Sequence, residues 1–101
     1  MIIYNVTVKV EPSIATAWLQ WIKEEHIPEM IATGCFSEGR VMRLLDVDDN
    51  EGPTYAVQYV SDNKEVYDRY IREFAEAMRK KGLDKWGHNT VAFRSVMELV
   101  N

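Results

Sequence analysis

The run IIYNVTVKV, from Ile2 to Val10, is followed at once by Glu11-Pro12-Ser13, and this stretch decides how the rest is read. Ile2, Tyr4, Val6, Val8 and Val10 alternate with Ile3, Asn5, Thr7 and Lys9. A period of two with β-branched residues predicts a strand with one buried face. Glu11-Pro12 stops it, and Ser13 is a good N-cap for a helix. The chain therefore opens as strand then helix.

Working outward, Ile14, Trp18, Trp21, Ile22 and Glu25 share one helical face by their spacing. Pro28 predicts a break or kink near His26, because proline disfavours helical angles in the residue before it. A short second helix should run from Pro28 to a cap at Thr33-Gly34. Arg40–Val47 and Thr54–Ser61 read as strands, joined by the polar turn Asp48-Asp49-Asn50-Glu51-Gly52-Pro53 into an antiparallel hairpin. Asp62 and Glu65 suggest a capping box. The helix behind it should bury Val66, Tyr67, Tyr70, Ile71, Phe74 and Met78 and end at Gly82, with Arg79, Lys80 and Lys81 favoured in its last turn by the helix dipole. Thr90–Val100 alternates again.

The order strand, helix, strand, strand, helix, strand is the ferredoxin-like α+β arrangement, βαββαβ. It predicts a four-stranded antiparallel sheet, right-handed crossovers and two helices on one face. Residues 1–101 make one domain, since the length suits a single core and no linker is visible. The uncovered face, expected to carry Ile3, Thr7, Ala56, Val96 and Val100, is apolar enough to want a partner, and a second copy of the chain is the simplest one.

Composition narrows the function. A net charge of −4 argues against nucleic-acid partners, because a phosphate backbone calls for a basic surface. An RNA-recognition-like sheet shares the strand order, but no basic-aromatic motif lies on a central strand. The N-terminal apolar run is interrupted by Asn5 and Lys9, so neither a signal peptide nor a membrane span is expected. A single cysteine fits a reducing, cytoplasmic setting.

Chemistry gathers in WLQWIKEEHIPEMIATGCF, Trp18 to Phe36. Trp18 and Trp21 can be core, pocket wall or both. His26 can cap a helix end as a cation, with a raised pKa, or serve as a general acid or base oriented by Glu25 or Glu29. Cys35 reads as a small buried residue. Arg40 and Arg43 fall on opposite faces of one strand, and one of them could bind an anion. No metal-ligand spacing is present, and no cofactor is expected.

Trp18-x-x-Trp21, His26-Ile27-Pro28-Glu29-Met30 and Thr33-Gly34-x-Phe36 together resemble a family of small bacterial proteins, a numbered domain of unknown function. The resemblance implies a ferredoxin-like fold related to the dimeric α+β barrels and assigns no catalytic residue. That wider group includes small monooxygenases, isomerases and ligand-binding regulators. Two functions follow as expectations. One is a homodimeric protein that binds a small molecule or is structural, without catalysis. The other is a cofactor-free monooxygenase- or isomerase-like enzyme acting on a small apolar or aromatic molecule through His26. A cavity of roughly 300 Å³ reaching His26 would separate a site from a purely structural histidine.

Overall fold

A computed structural model describes residues 1–101. The elements are β1 (Ile2–Val10), α1 (Ala15–Trp21), α2 (Ile27–Ala32), β2 (Glu38–Arg43), β3 (Thr54–Ser61), α3 (Lys64–Glu73), α4 (Ala75–Trp86) and β4 (Thr90–Glu98), with a π-helical turn, Ile22–His26, joining α1 to α2. The four strands form one antiparallel sheet in the order β2-β3-β1-β4. This is the ferredoxin-like arrangement.

Alternation sets the two faces. Tyr4 pairs with Tyr59 and Val96, and Val8 with Tyr55 and Ala92, so these residues share the helix-covered face. Ile3, Asn5 and Thr7 share the other with Val60, Gln58 and Ala56, and with Met97, Ser95 and Phe93. Val96 therefore lies on the helix side, not on the open face, and Val100 lies beyond the strand. The core is aromatic. Tyr4 packs against Phe36, Tyr59, Tyr67 and Tyr70 with ring centroids 5.6–6.1 Å apart. Trp18 stacks on Tyr55 at 5.2 Å.

The helical connections depart from expectation. The chain does not break at His26. Ile27 keeps helical angles (φ −58°, ψ −47°), and its amide donates to the Ile22 carbonyl five residues back. Proline has no N–H, and its ring collides with the carbonyl four residues earlier in a regular helix. A widened π turn just before Pro28 lets the segment stay helical through it. Gly39 seats this segment on the sheet: a Cβ there would stand 2.8 Å from Ile27 Cγ2.

The second connection is split at Phe74 (φ −126°) into α3 and α4. Its N-cap is Asn63, whose Oδ1 accepts from the Val66 amide at 2.9 Å, and not Asp62. Tyr67 and Tyr70 are buried, whereas Ile71 is exposed. The helix runs through Gly82 to Trp86 and ends at Gly87 (φ +54°), so Arg79, Lys80 and Lys81 lie inside it. β2 ends at Arg43, because Asp46 turns the chain in the left-handed region (φ +59°) and Leu45 points to solvent.

Along α4 only Ala75 is buried, and no residue of β4 is. The helices thus close tightly over β1 and β3 and loosely over β4. That mismatch leaves a cavity.

Candidate functional site

The cavity has a volume of about 300 Å³ and lies between α1, the π turn and α4 on one side and β1, β3 and β4 on the other. Trp18, Trp21, Tyr4, Tyr59, Tyr70 and Trp86 supply its aromatic walls, and Val6, Val8, Ile22, Met30 and Met78 add aliphatic surface. Gly82 of α4 also lines it, and a Cβ there would sit 3.8 Å from the Trp21 ring.

His26 is on the cavity wall. Its ring stacks on Trp21 with centroids 4.6 Å apart and planes at 20°, and Trp21 meets the edge of Trp86 at 5.9 Å. His26 Nδ1 is buried without a hydrogen-bond partner, as is Trp86 Nε1. Burial pushes the imidazole down from its usual 6.5 to about 4, outweighing the pull of Glu29, while Lys81 pushes the same way as burial. The raised pKa expected from the sequence is therefore wrong. It required a helix end at His26, and the π turn carries the helix past that residue. His26 is neutral at pH 7.

The other residues singled out from the sequence fall in different places. Trp18 is 2% exposed, so it serves core and wall together, and Trp21 is half-buried on the wall. Glu29 is taken up by Lys81 at 2.7 Å. Glu25 is exposed and is not on the cavity wall. Arg40 pairs with Glu38 and Arg43 with Asp49, and neither lines the cavity. Cys35 is buried, with Arg69 donating to its Sγ at 3.2 Å. No three His, Cys, Asp or Glu side chains are grouped to hold a metal ion.

The two arginines of the cavity wall were not singled out as ligand contacts from the sequence. Arg79 of α4 and Arg94 of β4 both line it, and an Arg79 Nη donates to the Tyr4 hydroxyl at 3.5 Å. Arg94 pairs with Val6 across β1–β4, which fixes it on the helix-side face.

Comparisons with known proteins agree on the fold. An ethyl tert-butyl ether D (EthD) family protein from Bacillus halodurans C-125 superposes with a TM-score of 0.70 at 14% identity, covering 99% of this chain and all of that one. A dimeric ferredoxin-like protein of unknown function from Jannaschia sp. CCS1 gives a TM-score of 0.52 at 16% identity, covering 98% of this chain and all of that one. No curated protein matches. No helix is long and apolar enough to cross a membrane. Residues 1–100 match the model of the domain of unknown function DUF4286, and the chain belongs to that family.

Proposed function

We propose that residues 1–101 form one domain that binds a small, largely apolar molecule in the cavity between helices and sheet, and that it works as a homodimer of the dimeric α+β barrel kind. The observation that carries the binding reading is the cavity itself. Its volume of about 300 Å³ is at the lower end of the range for small-molecule pockets, and its wall is mostly hydrophobic and rich in aromatic rings. The stretch from Trp18 to Met30 supplies one side of it, which gives the tryptophans and His26 a reason to stand together.

Binding without catalysis is favoured over acid–base chemistry by the state of His26. An imidazolium with a pKa of about 4 marks a weak base. Taking a proton from a group of pKa about 10 would be uphill by roughly 8 kcal/mol, at about 1.4 kcal/mol per pH unit. A neutral imidazole instead offers a hydrogen bond to a ligand's polar group. The enzyme reading keeps one support, the buried Nδ1 without a partner.

The dimer reading rests on the open sheet face. Phe93 is 71% exposed there and Val91 55%, beside Met42 and Met97. At the centre Asn5 donates to Thr7 at 3.0 Å and Ser95 at 3.4 Å and accepts from Gln58 at 3.2 Å. That network is satisfied internally, so a partner can cover it without stranding polar groups. The Jannaschia protein of like fold is described as dimeric. The lone buried cysteine suits a cytoplasmic location.

The test is a fragment screen by NMR on the labelled protein. Aromatic fragments of ten to fifteen heavy atoms should shift the Trp18, Trp21 and Trp86 indole resonances together. Hits that shift only open-face residues such as Phe93 would refute the cavity as the site.

A further inference from the structure

The cavity carries a charge pattern at odds with the rest of the chain. The protein has 16 acidic residues against 12 lysines and arginines, yet no Asp or Glu lines the cavity and two arginines do. Those two are also the exceptions among the arginines. Arg40, Arg43, Arg69 and Arg72 each have a carboxylate within 4 Å, and Arg79 and Arg94 have none. The one side-chain hydrogen bond of Arg79 goes to the Tyr4 hydroxyl.

The two come from different elements, α4 and β4, and serve one region. Both line the same cavity as Tyr70, whose hydroxyl burial pushes up. Two cations on one wall, with no carboxylate among the lining residues, favour an anionic group there. Guanidinium suits a carboxylate because its planar fork donates two parallel hydrogen bonds. Trp86, on the same wall, holds a buried indole N–H with no acceptor.

We propose that the ligand is a small aromatic or apolar carboxylate, its ring against Trp18, Trp21 and Tyr59 and its carboxylate held by Arg79 and Arg94. This rests on the cavity being a binding site and adds the ligand's chemical class. Size agrees. About 300 Å³ equals roughly ten water volumes, room for a bicyclic aromatic acid and not for a nucleotide or an acyl chain of lipid length.

The experiment measures calorimetric binding of 2-naphthoate and its uncharged isostere 2-naphthamide at low salt, with indole NMR shifts to locate them. Wild type should bind the carboxylate at least about tenfold more tightly than the amide, which corresponds to about 1.4 kcal/mol. The preference should shrink as salt is raised. In Arg79→Gln/Arg94→Gln the preference should fall to parity, the carboxylate losing more affinity than the amide. Arg94→Gln alone, on a strand exposed along its length, should lose part of it and serves if the double variant does not fold. Equal binding of acid and amide by wild type, or an unchanged preference in the variants, would overturn the carboxylate assignment and leave the cavity as a site. No binding of either compound, with the indole resonances unmoved, would overturn the cavity reading as well.

Discussion

Replacing His26 by Gln tests the site's central electrostatic claim. In the folded chain the imidazole is held at about 4 by burial against Trp21, and in the unfolded chain it returns to its usual 6.5. Above pH 6.5 both states hold it neutral, so it imposes no penalty. Between 6.5 and 4 the unfolded chain takes up a proton that the folded chain refuses, and stability falls with falling pH. Below about 4 both are protonated and the loss levels off. At about 1.4 kcal/mol per pH unit, the gap amounts to roughly 3 kcal/mol, a large share of a domain's total of about 5–15 kcal/mol. The assay is urea denaturation of wild type and His26→Gln from pH 3.5 to 8. Carboxylate titration is common to both proteins, so the difference between the two curves isolates the imidazole. That difference should be flat above pH 7 and should grow against the wild type down to about pH 4. An NMR titration of the imidazole carbon resonances should give a midpoint well below 6.5. A flat difference curve, a slope of the opposite sign or a midpoint at or above 6.5 would refute the burial argument and restore a charged, helix-end histidine.

Two further outcomes follow from the fold. Gly52→Ala should lose roughly 3 kcal/mol or more in the same denaturation assay, because φ is +115° there and the added Cβ would collide with the Val10 carbonyl oxygen, a clash backbone cannot absorb. Phe93→Asp should weaken the proposed dimer at least tenfold by light-scattering titration and leave carboxylate binding intact, because the open face and the cavity are on opposite sides of the sheet.

The fold was legible where one physical constraint dominates. In β1 and β3 one side chain in two must meet the helices, so alternation is strong, and β3 spans the expected Thr54–Ser61. Boundaries were lost where two solutions satisfy the same local rule. A proline in a helical pattern can stop the helix or be accommodated by a π turn, and here the aromatic contacts of the whole segment favour continuation. A glycine after three basic residues looks like a helix end. Gly82 is instead a place where α4 approaches the Trp21 ring.

The site was half legible for a related reason. Trp18, Trp21 and His26 drew notice because they cluster in sequence, and the structure brings all three to the cavity wall. Arg79 and Arg94 are 15 positions apart, and each has an ordinary local explanation: a cation late in a helix, and a charge on a strand. What distinguishes them is the absence of a carboxylate partner, a property of the folded chain alone. A signal was present in Arg94, which shares its parity with Thr90 and Ala92. Reading it needed the pairing of Arg94 with Val6, because β4 is buried on neither face and both of its parities carry apolar residues. Strands that close a cavity lack the one-sided burial that makes register readable, so the residues that define a ligand's charge are the ones sequence patterning reveals last.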